Sequence, residues 1–140
     1  MADVTVSVII PSFNHAKYIG AAIESVIAQS FQDWELLVID DQSSDESVEV
    51  ARSFKDPRIT VGVNDQNLGT YETENRGLEL AKGSLIAILN SDDYWHPAKI
   101  ERQVDVLSRH PEIQFCYARG GLANEVGEVI DLDSHHGRWP

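Results

Sequence analysis

Two pairs of adjacent aspartates, Asp40–Asp41 in "LLVIDDQSSDES" and Asp92–Asp93 in "LIAILNSDDYW", close apolar runs of the chain. Neighbouring carboxylates repel each other and resist desolvation, so such a pair at a buried strand end is costly unless it holds something. Hard divalent cations take oxygen ligands, and Mg²⁺ uses one or two carboxylates with water and substrate phosphates completing its shell. An ion on Asp92 and Asp93 would neutralise a nucleotide diphosphate and stabilise it as a leaving group. The plainer alternative is that this pair caps a helix starting near Pro97. For the first pair, the plainer alternative is an Asx turn and N-cap shared with Ser43 and Ser44, and Ser43 and Asp45 read as structural. Two consecutive acids exceed what capping needs. One carboxylate facing a cleft could accept an N–H from a nucleobase edge, either N3–H of uracil or a donor of guanine.

A third polar cluster is "PSFN", Pro11 to Asn14. Pro11 stops sheet pairing and fixes the turn. Phe13 could stack on a base or sit in the core beneath the turn, and Asn14 is positioned to cap the following helix. His15, His96, His110, His135 and His136 show no ligand spacing, and His135–His136 reads as an exposed polar loop. The single Cys116, inside "IQFCYA", excludes an internal disulfide and any multi-cysteine zinc site, and reads as a buried small hydrophobe.

The elements that must carry these clusters alternate regularly. Apolar strand patterns occupy Val4–Pro11, Trp34–Asp40, Arg58–Asn64 and Ser84–Asn90, and "EIQFCYA" supplies a fifth. Between them lie helical patterns. Ile19, Ile23, Val26 and Ile27 share one face, and so do Val48, Ala51 and Phe54 after a Ser43–Glu46 capping box. A further helix runs through Leu78, Leu80 and Ala81 to a Gly83 C-cap, and the last carries Ile100, Val104 and Leu107 after Pro97. Such repetition predicts an α/β fold, a three-layer α/β/α sandwich on a mostly parallel sheet. Ligands of such sheets sit beyond the carboxyl ends of the strands, so the three polar clusters are expected on one edge.

The chain has 140 residues, enough for one domain with a real core, and 42% hydrophobic content typical of a globular protein. Its net charge of -12 argues against a nucleic-acid partner. No apolar run approaches the ~20 residues of a membrane span. No signal-peptide pattern opens the sequence, and a reducing cytoplasm fits these features. The stretch Arg119–Pro140 loses helical periodicity; a β-hairpin turning near Asn124–Gly127 is expected there, and the end reads as a truncation point.

"VSVIIPSFNHAKYIGAAIESVIAQSFQDWELLVIDDQSSDES", followed by "NLG…ENRGLELAKGSLIAILNSDDYWHPAKI", resembles the family 2 inverting glycosyltransferases of GT-A fold. The similarity extends to about Tyr117, with the segments in order and at the family's spacing. The resemblance implies a Rossmann-like nucleotide-diphospho-sugar-binding domain over residues 1–118, with residues 119–140 beginning an acceptor-side region. It implies that Pro11 and Phe13 line a nucleotide pocket, that Asp41 contacts uracil with Asp40 beside it, and that Asn67 and Gly69 pass near the nucleotide-sugar. Asp92 and Asp93 match the DXD-type signature, with Asp93 the direct ligand of Mg²⁺ or Mn²⁺.

The implied activity is hexosyl transfer from a nucleotide-sugar donor of the UDP class to an acceptor hydroxyl on a sugar, lipid-linked sugar or polysaccharide. Cell-wall or polysaccharide biosynthesis and peripheral membrane association through the acceptor follow from the same resemblance.

Two positions depart from the family pattern. Glu74 stands where an arginine is usual, which argues against a phosphate contact from that position; Arg76 could substitute but does not occupy the same place, and Asn90 replaces an aspartate. Inverting transfer also needs a base to deprotonate the acceptor. Glu125, Glu128, Asp131 and Asp133 match no acidic motif, so the base is expected downstream of this chain. The alternatives are a donor-binding module or truncated piece without transfer, and, remotely, a receiver-type signalling domain. The last would need an aspartate after the third strand and a lysine after the fifth.

Overall fold

The protein is described by a computed structural model covering residues 4–131, so His135, His136 and Asp133 lie outside the described residues. The chain divides into two compact units, residues 1–101 and 102–140. In the first, the order is β1 (Val6–Ser12), α1 (Ile19–Ile27), β2 (Trp34–Asp40), α2 (Ser47–Ser53), β3 (Ile59–Val63), α3 (Thr70–Leu80) and β4 (Leu85–Ile88). The four strands form one parallel sheet in the order β3-β2-β1-β4. Helix α4 (Lys99–Arg109) runs across the division between the units.

The central strands explain the layers. Val8, Ile9, Ile10, Leu36, Val38 and Ile39 are all fully buried, so both faces of the sheet need cover. Ile9, Leu37 and Ile39 form a cluster on one face, closed by Ala81 at the end of α3. The opposite face is left to α1, which buries Ile19, Ala22, Ile23 and Val26, and to α2.

Several expected boundaries move, and Pro11 does not stop sheet pairing, since β1 continues beside β2 through Ser12. "EIQFCYA" forms no strand; Phe115 and Tyr117 stack on each other with both rings largely exposed, and Cys116 is a half-buried free thiol. Apolar composition gives strand propensity, but a strand exists only where a neighbour completes its hydrogen-bond ladder. Helix α3 begins at Thr70 and buries Thr73 and Gly77, leaving Leu78 and Leu80 half-exposed. It ends at an extended Ala81, so Gly83 is not its C-cap. The Ser43–Glu46 capping box does not form, because α2 starts at Ser47 and the carboxylate of Asp45 accepts the Ser47 N–H instead. Asn14 does not cap α1, whose N-cap position is Tyr18 with no side-chain bond.

In the second unit the expected hairpin is present, with β5 (Leu122–Ala123) and β6 (Val129–Asp131) antiparallel around a turn at residues 124–127. The receiver-type reading finds no support. The residue after β3 is Asn64, an amide already engaged by its neighbours, and the strand expected at "EIQFCYA" does not form.

Two glycines mark close approaches. A Cβ on Gly77 would lie 2.5 Å from Cγ2 of the fully buried Ile9, and one on Gly83 would lie 2.5 Å from the Ser7 amide nitrogen. Gly77→Ala should therefore destabilise the protein by about 1–3 kcal/mol in urea unfolding. Gly120→Ala, where nothing lies within 4 Å, should stay within about 0.5 kcal/mol. Equal effects at both positions would disprove the tight α3–β1 contact.

Candidate functional site

The carboxyl ends of β1, β2 and β4 open together onto a cleft of about 280 Å³. Pro11, Ser12, Phe13 and His15 line it from the β1 side, Asp41 from β2, Thr70 and Thr73 from α3, and Asn90, Ser91 and Asp92 from the loop after β4. The parallel sheet makes this convergence, since every β-to-α connection leaves from the same edge.

The two aspartate pairs occupy different environments. Asp41 is buried, and its carboxylate gathers donors. Oδ1 accepts the Asn64 amide at 2.8 Å and the Leu68 N–H at 2.7 Å, while Oδ2 accepts the Gly69 N–H at 2.8 Å. The Asn67 amide donates to the Asp41 backbone carbonyl at 3.1 Å. Burial alone would push the Asp41 carboxyl up, but the donors from Leu68, Asn64, Gly69 and Thr73 outweigh it and hold it below its ordinary value. Asp40, also buried, is turned away from the cleft lining. Its Oδ1 accepts the Ser43 N–H at 2.7 Å and its Oδ2 the Ser43 hydroxyl at 2.6 Å.

The second pair is open to solvent. Asp92 lines the cleft, whereas Asp93 lies outside the lining, in a turn where its N–H donates to the Asn90 carbonyl and its Oδ2 accepts the Asn90 amide at 3.2 Å. Among the described residues no group of three or more His, Cys, Asp or Glu comes together to enclose a metal.

Of the expected site residues, Pro11, Phe13, Asp41 and Asp92 therefore share the cleft, with Phe13 46% exposed rather than in the core. Asn67 and Gly69 brace Asp41 from behind the lining. Gly69 adopts φ of +85°, a left-handed conformation that suits glycine at the entrance to α3. Arg76 does not take the place of the missing arginine, because its guanidinium donates to the Val63 carbonyl and to the Asn64 side chain.

Sequence reading passed over Asn64, Thr70, Thr73, His15 and Ser91. Asn64 had a signal, since it is the polar residue that ends β3 as Asp40 and Asp41 end β2. Thr70 and Thr73 are one helical turn apart at the start of α3, a spacing that places both on one face. His15 and Ser91 are 76 positions apart yet lie 2.7 Å from each other through Nδ1 and Oγ, which no local pattern reveals.

Because Asp41 is depressed in the folded state, the stability it contributes is present above the ordinary carboxylate value of about 4 and is lost as pH falls below it. Asp41→Asn should lower neutral-pH stability by about 1–3 kcal/mol and flatten the acid limb of urea midpoints measured from neutral to acid pH. An unchanged acid limb would assign it to other carboxylates.

Comparison with known proteins gives the family. The chain is 39% identical over 133 residues to the UDP-Glc:alpha-D-GlcNAc-diphosphoundecaprenol beta-1,3-glucosyltransferase WfgD of Escherichia coli, covering 93% of this chain and 52% of that protein. It is 38% identical over 132 residues to the putative teichuronic acid biosynthesis glycosyltransferase TuaG of Bacillus subtilis, again over 93% of this chain and 52% of the relative. The chain thus spans about half the length of the curated relatives it matches. Among solved structures, S. aureus TarS 1-349 in complex with UDP superposes with a TM-score of 0.73 at 26% identity, covering 76% of this chain and 33% of that one. The same TarS segment has also been solved in complex with UDP-GlcNAc. The four-stranded parallel sheet under its helices is thus the GT-A type of α/β fold. The sequence model of Glycosyl transferase family 2 matches residues 7–131, nearly the whole described chain, and the protein belongs to that family.

Proposed function

We propose that this chain binds the donor of an inverting glycosyl transfer, a nucleoside-diphosphate sugar of the UDP class, with a divalent metal. The observation that carries the reading is the cleft itself, which has a buried, braced carboxylate and an exposed aromatic on one side and the open carboxylate of Asp92 on the other. The UDP and UDP-GlcNAc complexes of TarS support the same ligand class.

In this reading Phe13 stacks on the base. Asp41, whose Oδ2 accepts the Gly69 N–H, takes N3–H of uracil. Thr70 and Thr73 supply hydroxyls along the cleft. Asp92 and Asp93 fit a hard cation of the half-built kind, two exposed carboxylates leaving positions for water and phosphate oxygens, and either Mg²⁺ or Mn²⁺ suits them. Bound there, such an ion would offset the charge that develops on the departing diphosphate.

The acceptor in this proposal is a lipid-linked sugar or polysaccharide, as the undecaprenol and teichuronic acid relatives suggest, reached by peripheral association with a membrane from the cytoplasm. Among the described residues no helix is long and apolar enough to cross a membrane. Residues 119–140 then begin the acceptor side. A second reading, donor binding without transfer by these 140 residues, is favoured by one observation: Asp41 and Asp92 are the only carboxylates lining the cleft among the described residues. Neither is placed to act as base if both hold the donor.

Calorimetric titration of UDP with and without Mn²⁺ tests the reading, and metal-enhanced binding is the expected result. Asp93→Ala should abolish the metal-dependent part while leaving thermal unfolding unchanged; full metal dependence in that variant would remove Asp93 as a ligand. Phe13→Ala should cost about 1–3 kcal/mol of UDP affinity and leave Mg²⁺-pyrophosphate binding intact. Parallel losses for both probes would take Phe13 off the base.

A further inference from the structure

The cleft presents a charge problem to any diphosphate. Among the described residues its lining holds two carboxylates, Asp41 and Asp92, and neither lysine nor arginine. The basic side chains nearby are engaged elsewhere. Arg76 is bonded to Val63 and Asn64, and Lys17 lies over the Tyr18 ring. One lining residue can carry a positive charge or point a ring N–H at an anion, and that residue is His15.

His15 is held in place from three directions. Its N–H donates to the Ser47 hydroxyl at 2.9 Å, and its carbonyl accepts the N–H groups of Tyr18 and Ile19, each at 2.9 Å. Its ring meets Tyr18 edge-on at 6.0 Å, and its Nδ1 lies 2.7 Å from the hydroxyl of the buried Ser91. Ser91 immediately precedes Asp92, so this bond ties the β1 wall of the cleft to the loop that carries the exposed carboxylates. No hydrogen bond among the described residues engages Nε2.

We propose that His15 contacts the diphosphate of the bound donor through Nε2–H, with Ser91 orienting the ring through Nδ1. The inference rests on the donor-binding reading given above. When the Ser91 hydroxyl donates to Nδ1, the neutral ring carries its hydrogen on Nε2, and a phosphate oxygen is the acceptor that position favours. A ring already fixed by its backbone and by Ser91 loses little freedom on binding, so most of the bond's strength reaches affinity.

The test is calorimetry with uridine and UDP, both in Mg²⁺, on the protein and on His15→Ala, His15→Gln and Ser91→Ala. His15→Ala should weaken UDP about tenfold and leave uridine unchanged, as loss of a hydrogen bond to a charged group implies. His15→Gln should recover part of the loss through its amide N–H, and Ser91→Ala should show a smaller loss. If His15→Ala fails to fold, His15→Gln and nitrogen NMR of the imidazole carry the test: the Nε2 resonance should move on adding UDP and stay on adding uridine. Unchanged UDP affinity in the variants, equal losses for uridine and UDP, or a stationary Nε2 resonance would overturn the assignment while leaving the donor site standing. A wild-type protein that binds neither ligand would overturn the donor-site reading, and this inference with it.

Discussion

The carboxylate of Asp41 is the constraint around which the candidate site is organised. It is buried at the end of β2 and receives hydrogen bonds from Asn64 at the end of β3 and from Leu68 and Gly69 at the entrance to α3. A buried charge without donors would be strongly unfavourable, whereas one that gathers several N–H groups is stabilised in its ionised form. The same bonds therefore fix the loop, the start of α3 and the charge state together. Asn64 extends the arrangement, donating also to the Thr73 hydroxyl and receiving from Arg76, so one turn of α3 is locked to the sheet edge.

A second set of short polar contacts joins the loops after β1 and β2. Asn14, in the left-handed region at φ +53°, donates its N–H to the Ser43 hydroxyl, and its side-chain oxygen accepts the Ser44 N–H. Asp45 accepts from Ala16 and Ser47. These bonds satisfy backbone groups that would otherwise be orphaned where two helices begin. They also hold His15, which lies between Asn14 and Ala16, and the adjacent Phe13 at the rim of the cleft.

The two Asp-Asp dipeptides thus do opposite physical work. The first is inside, its acceptor capacity mostly spent on the protein, and it makes a rigid wall. The second is outside, with much of its acceptor capacity unspent, and such a pair gains its partners only from what binds. A preorganised wall facing an open acidic wall suits a ligand with a neutral base at one end and a polyanion at the other. The polyanion then requires a bound cation or a donor such as the His15 ring, since the lining among the described residues holds no lysine or arginine.

Much of this was determined by the sequence alone. Apolar runs rich in β-branched residues, such as Val6–Ile10 and Leu36–Ile39, read as strands buried on both faces, and their alternation with helical patterns predicts a parallel sheet whose strand ends share one edge. That was enough to bring Pro11, Phe13, Asp41 and Asp92 to a common cleft. Tertiary structure decided what depends on distant partners. "EIQFCYA" has strand composition and no strand to pair with, and Leu78 and Leu80 have core composition while Gly77 takes the core position because α3 lies so close to Ile9. Asp40 and Asp41 are identical and adjacent, yet Asp40, the last residue of β2, turns to Ser43, while Asp41, just past the strand, lines the cleft and gathers the N–H groups at the entrance to α3. The pairing of His15 with Ser91 belongs to the same class: periodicity reports the face a residue occupies, and only the packed chain reports which residue waits on the other side.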